Sequence, residues 1–151
     1  MKSKLNPKHL LIHDSLAKAY AMELETVQNY LANSIHLDGI SADVVKRTLA
    51  ADVATELGHA QALAQRIKTL GGTVPGSLAN ARNQTWLQPP LCSTDVRAVI
   101  RGVIRAEEEA IAHYSRLIQL CDGVDYVTQD LAIGILGSEE QHRREFAGFL
   151  D

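Results

Sequence analysis

Four prolines, at positions 7, 75, 89 and 90, divide this chain into two long proline-free blocks. Three of the four fall within GGTVPGSLANARNQTWLQPPLCST, residues 71–94, together with glycines. Proline removes a backbone donor and clashes with the preceding turn, so blocks without it are free to run as long helices while the segment between them is not. In the first block Ile12, Leu16, Ala19, Glu23, Val27 and Tyr30 recur at the three-and-four spacing of one helical face. DGIS, residues 38–41, interrupts that pattern, and Ser41 with Asp43 suits a new helix start. The second stripe runs Val45, Leu49, Val53, Glu56, His59, Leu63, Ile67 and Leu70, and Gly71-Gly72 ends it.

The second block repeats the scheme. Ser93, Thr94 or Asp95 can cap a helix whose stripe is Ile100, Val103, Glu107, Ala110, Tyr114, Leu117 and Cys121, and Asp122-Gly123 stops it. A last helix from about Tyr126 to Phe149 aligns Leu131, Ile135, Glu139, His142, Phe146 and Phe149. No period-two run reads as a strand. The expected fold is all-α: an antiparallel four-helix bundle in one domain, residues 1–151, with hairpins at about 9–70 and 94–150 joined by a crossover loop at 71–93. Roughly 23 residues at ~3.3 Å each span a helix of roughly 40 Å, so the crossover can return the chain along the whole bundle. Trp86 and Leu87 are its expected anchors.

All four stripes carry the same anomaly, a glutamate where a core residue belongs, and two add a histidine three residues later. "TELGHA" holds Glu56 and His59; "SEEQH" holds Glu139 and His142. The intervals match between blocks: Glu23 to Tyr30 and Glu107 to Tyr114 are both seven residues, Glu23 to Glu56 is 33 and Glu107 to Glu139 is 32. The chain therefore reads as an internal repeat of a helix pair, each pair bringing one Glu, one Tyr and one Glu-x-x-His. Burying an unpaired carboxylate costs several kcal/mol or more. Four carboxylates carry about −4 and two divalent metals about +4, so the inward cluster is near neutral with both metals bound. This ligand pattern is the one known for di-iron and di-manganese carboxylate bundles. Oxygen-rich ligation with one imidazole per metal suits iron or manganese better than structural zinc, which usually recruits thiolates.

Tyr30 and Tyr114 lie two turns from their glutamates; each hydroxyl either bonds a ligand carboxylate of the opposite pair or is satisfied elsewhere in the core. Glu25, Glu108, Glu109 and Glu140 rotate away from the stripes and read as solvent-facing. Asp52, one turn before Glu56, reads as a solvated residue at the stripe's edge, the alternative being a carboxylate that supports the ligands or guides iron to them. His9, His13, His36 and His113 lack periodic context and read as surface or edge residues.

Composition narrows the rest. At 46% hydrophobic and 22% charged, with a formal net charge of −3, the chain is expected to be globular and to lack a general field for nucleic acid. The N-terminus has no uninterrupted apolar run, and no stretch of about 18 apolar residues occurs, so a cytoplasmic protein with no membrane partner is expected. Cys92 and Cys121 are too few and too far apart for a disulfide scaffold or a CxxC zinc site.

These residues resemble the ferritin-like superfamily, bacterioferritin and the bacterioferritin-like mini-ferritins above all. "MELETVQNYL", "TELGHA", "EEEAIAHY" and "SEEQH" look like the four ligand motifs in chain order, and "RIKTLGGTVPGS" is similar to the helix end and turn of the mini-ferritins that protect DNA in starved cells. The resemblance implies an intra-subunit ferroxidase centre of Glu23, Glu56, His59, Glu107, Glu139 and His142, with Glu56 and Glu139 as bridges and two iron ions per subunit, manganese or zinc being possible in their place. It implies oxidation of Fe(II) by oxygen or hydrogen peroxide, for iron storage and oxidative-stress protection, in a hollow homo-oligomer. The alternative is a di-iron or di-manganese redox enzyme without a mineral core, a rubrerythrin-like peroxidase or a manganese catalase; no four-cysteine rubredoxin segment is present. Leu57 stands where bacterioferritin has a haem-ligating methionine, so no haem is expected. Twelve residues follow Glu139, too few for the fifth helix of 24-subunit cages, which favours a dodecamer, a dimer remaining possible. DNA is not an expected partner, because Lys2, Lys4 and Lys8 read as a solubilising tail.

Overall fold

The structure, a computed structural model, describes residues 6–151. Four long helices carry it: α1 Pro7–His36, α2 Asp43–Thr69, α3 Val96–Cys121 and α4 Tyr126–Gly148. They are joined by single 3-10 turns and loops, and no strand occurs among the described residues. Lys2 and Lys4 of the expected N-terminal tail lie outside the described residues.

The helix ends follow local chemistry. Asn6 caps α1 by accepting from Lys8 N at 3.1 Å, with Pro7 in the first turn where no amide is required. α2 ends as expected: Gly71 takes φ +83, a region costly for other residues, and Gly72 N donates to Ile67 O at 2.9 Å. Of the three cap candidates for α3, Asp95 serves, accepting from Ala98 N at 3.1 Å. Ser41 does not cap α2. A 3-10 turn over Ile40–Ala42 leads into that helix instead, and its N-terminus has no side-chain cap.

The connections set the direction of every helix. α1 and α2 form one hairpin, and α3 and α4 the other. The crossover runs along α1 in the direction of rising residue number, with Gln84 paired to Asn29, Leu87 O accepting from Asn33 and Pro90 O paired with His36. Asp38 N then donates to Ser93 O, so α3 starts beside the end of α1 and runs antiparallel to it. Glu25 belongs to this seam and is a correction to its solvent-facing reading: its carboxylate accepts from Asn83 N at 2.8 Å and Gln84 N at 2.5 Å, holding the loop to α1. Leu87 is buried, and the Arg105 guanidinium stacks 4.0 Å from the centre of the Trp86 ring.

The core is divided. One apolar cluster gathers Leu37, Val45, Leu49, Val99, Val103 and Phe146 at one end, and another gathers Ile12, Leu16, Leu63, Ile67, Leu117 and Ile135 at the other. Between them lies a polar layer of glutamates and histidines. Val27 and Leu131 are only partly buried; Thr26 and Ala132 beside them face inward instead. Cys92 is exposed in the loop before α3 and Cys121 is buried at that helix's last residue, and both are free.

Gly102 on α3 is where the crossover approaches most closely: a Cβ there would meet Trp86 O at 2.7 Å. Gly102→Ala is therefore expected to lower the melting temperature by several degrees and to make residues 75–90 easier to cleave by protease, since overpacking costs ~1–3 kcal/mol. An unconstrained helix would instead gain up to ~1 kcal/mol from the same change. Thermal unfolding with limited proteolysis decides between the two.

Candidate metal centre

Each helix delivers its glutamate at the same height. Glu23, Glu56, Glu107 and Glu139 are each at most 2% exposed. His142 is buried, and His59 lies at the margin of the layer with 14% of its side chain exposed. All six expected residues thus converge, and they form two overlapping quartets whose donor atoms lie within 4.8 Å of one another. One is Glu23, Glu56, His59 and Glu139; the other is Glu56, Glu107, Glu139 and His142.

The shared members split their oxygens between the two imidazoles. His59 Nδ1 stands 3.2 Å from Glu56 Oε2 and 2.9 Å from Glu139 Oε1, while His142 Nδ1 stands 3.0 Å from Glu56 Oε1 and 3.8 Å from Glu139 Oε2. Glu23 lies 3.8 Å from His59 alone, and Glu107 lies 3.7 Å from His142 alone. Each quartet could hold one ion, and Glu56 and Glu139 are the members common to both. Glu56 Oε1, Glu139 Oε1 and His142 Nδ1 are buried yet make no hydrogen bond of acceptable geometry. Buried polar atoms are normally satisfied, so these lone pairs fit an ion between them better than they fit one another. Donor separations of roughly 3 to 4 Å are what metal–ligand bonds of ~2.1 Å impose.

The tyrosines tie the hairpins together at this layer. Tyr30 OH donates to Glu107 Oε1 and Tyr114 OH donates to Glu23 Oε1, each crossing to the opposite helix pair. Both rings are fully buried, and burial with the neighbouring glutamate charge keeps both phenols well above their ordinary pKa and therefore neutral donors. Glu108, Glu109 and Glu140 are exposed as expected. Asp52 departs from its expected solvated position: it is 7% exposed, with Oδ1 3.6 Å from His142 Nε2. Its spacing from Glu56 was the available signal, but one helical turn fits both the edge and the interior of a stripe. His113 is half-buried against Ser15 O at 2.9 Å, and Leu57 faces outward.

Without metal, protons balance the charge. Burial raises Glu23 and Glu107 well above the carboxylate range. Burial acts the same way on Glu56 and Glu139, but the close approach of both imidazoles and of the neighbouring acids outweighs it and both are lowered. Burial alone would lower the imidazoles; the surrounding glutamates overcome it, pushing His59 up to about 12 and His142 strongly upward. Protons held on the raised glutamates and imidazoles thus offset the charge of Glu56 and Glu139. Loading two divalent ions must expel these protons.

Between about two and four protons should therefore leave per pair of divalent ions near neutral pH, two from the imidazoliums and the others from Glu23 and Glu107. Calorimetric metal titration in buffers of different ionisation enthalpy measures the number, and release of none would contradict the centre. The sign for the metal-free protein follows. The imidazolium contribution is complete below the unfolded value of 6.5 and is lost as pH rises through the raised folded values. The raised Glu23 and Glu107 likewise cost stability as pH rises above 4.5, whereas the lowered Glu56 and Glu139 contribute above 4.5 and lose that contribution as pH falls. Metal-free protein should accordingly melt highest in mildly acid solution, and the added stability from metal should grow with pH.

The comparisons with known proteins agree with this architecture. The chain is 28% identical over 141 residues to the DNA protection during starvation protein of Pyrococcus furiosus, covering 89% of this chain and 74% of that one. Among solved structures it is similar to a ferritin-like, diiron-carboxylate protein from Bacillus anthracis, with a TM-score of 0.84 and 22% identity over 97% of this chain and all of that one. It also resembles the bacterioferritin-related protein of Bacteroides fragilis, described as a dodecameric thioferritin, with a TM-score of 0.79 and 24% identity over 94% of this chain and 85% of that one. At those identities the structures speak for the fold alone. A profile of the ferritin-like domain matches residues 13–151, and the chain belongs to that family.

Proposed function

We propose that Glu23, Glu56, His59, Glu107, Glu139 and His142 bind two Fe(II) ions as substrate and that the protein is a ferroxidase serving iron storage and detoxification. The observation that carries this reading is the pair of quartets sharing Glu56 and Glu139. Paired iron ions supply one electron each, the two-electron unit that reduces one hydrogen peroxide to water or carries oxygen to the peroxide level. Hydrogen peroxide or oxygen is the oxidant.

The protein's own residues do three things. Glu56 and Glu139 hold both ions within reach of one oxidant molecule, each presenting one oxygen to either side. Tyr30 and Tyr114 fix the rotamers of Glu107 and Glu23, so the terminal ligands are positioned before iron arrives. The apolar clusters above and below exclude water from the layer. His59, at the more exposed margin, lies on the side from which iron is proposed to reach the centre.

We further propose a closed homo-oligomer, a dodecameric shell, as described for the Bacteroides fragilis protein. Ile35, Ile40, Leu78 and Leu91 are 72% to 108% exposed, which fits surfaces covered by further copies. The proposed setting is the cytoplasm, where iron is ferrous and the exposed Cys92 thiol stays reduced. No helix of the described residues is long and apolar enough to cross a membrane.

Glu56→Ala and His59→Ala should each slow Fe(II) oxidation at least ~100-fold with the helical circular dichroism retained, and Tyr30→Phe should slow it ~10-fold. Stopped-flow absorbance of ferric product after mixing with peroxide or oxygen measures this; a wild-type rate in Glu56→Ala would remove the site assignment. Iron per subunit, read alongside molar mass by light scattering, separates storage from a mineral-free redox enzyme. Storage requires well over two irons per subunit, and a small oligomer stopping at two would contradict it.

A further inference from the structure

The internal repeat breaks at one buried position beside the centre. Asp52 lies one turn before Glu56 on α2, and its carboxylate Oδ1 is 3.6 Å from Nε2 of His142, the ring nitrogen opposite the one facing the glutamates. Its other oxygen, Oδ2, is buried with no hydrogen-bond partner. One turn before Glu139, where the repeat places the equivalent residue, α4 carries Ile135, 4% exposed. Each carboxylate contact of His59 runs through Nδ1. One imidazole of the pair thus has a carboxylate behind it and the other does not.

We infer that Asp52 is a positioning residue that holds the His142 ring with Nδ1 toward the centre, making the position built from Glu56, Glu107, Glu139 and His142 the tighter of the two, the first to fill. A carboxylate behind a ligating imidazole keeps the proton on the far nitrogen and fixes the ring's rotation, leaving the near lone pair free for a metal; losing such a partner typically costs 10–100-fold in affinity. The 3.6 Å separation is longer than a hydrogen bond, and its closing when a metal binds Nδ1, which would give the buried Asp52 carboxylate its partner, is part of the inference. The inference rests on the six residues being metal ligands.

Anaerobic titration with Co(II) alone, followed by its visible absorption, tests it. The wild type should take up two ions per subunit in two phases, and Asp52→Ala should remove the tighter phase while leaving the weaker one in place. Asp52→Asn, which keeps an acceptor oxygen, should fall between them. In a His59→Ala background, where the His142 position is intact, Asp52→Ala should weaken Co(II) binding 10–100-fold; in a His142→Ala background it should change affinity less than about 2-fold. Equal weakening in both backgrounds would mark a merely structural effect and overturn the inference, as would two-ion binding indifferent to Asp52 throughout. Failure of the wild type to bind Co(II) at all would overturn the ligand assignment as well.

Discussion

Four carboxylates buried at mid-height in a helical bundle must be neutralised, and the architecture is arranged around that requirement. The apolar core is split into two clusters because the layer between them is polar. Each hairpin is bound to the other through that layer, Tyr30 reaching Glu107 and Tyr114 reaching Glu23. Those crossed bonds are long-range links that an apolar core of the same volume would lack. They also make the two hairpins interdependent: neither helix pair holds a complete quartet, since each quartet draws on glutamates from both.

The same constraint explains how the site can exist with and without ions. In the proposed centre, protons and metals compete for one set of lone pairs, and either would offset the charge of the buried carboxylates. Glu56 and Glu139 face both imidazoles, whereas Glu23 and Glu107 each face one and take their second partner from a tyrosine. The proposed bridging and terminal roles would therefore follow from position on the helices. The glutamates shared by both quartets come from α2 and α4, which also bring the histidines, and the unshared ones come from α1 and α3.

Much of this is legible in the sequence because both periodicities involved are rigid. A 3.6-residue helix places Glu56 and His59 on one face, and intervals of 33 and 32 residues bring the two halves into register. Proline and glycine positions mark the crossover and two of the helix ends for reasons of backbone geometry. The missed features depend on contacts between elements. Glu25 reads as an exposed acid until the crossover is laid over α1, where two of the loop's backbone amides find it. Asp52 sits one turn from Glu56, a spacing that fits the rim or the interior equally, and only the placement of α4 decides it. Ser41 has the chemistry of a cap, but the chain enters α2 through a 3-10 turn that removes the need for it.

The central claim is that two ions sit between six named side chains. Anomalous scattering from crystals of the protein loaded with Fe(II) without oxygen tests it most directly. Two strong peaks per subunit are expected inside the bundle, one beside Nδ1 of His59 and the other beside Nδ1 of His142, with Glu56 and Glu139 spanning both. A single peak outside this layer, or none within it at saturating iron, would contradict it.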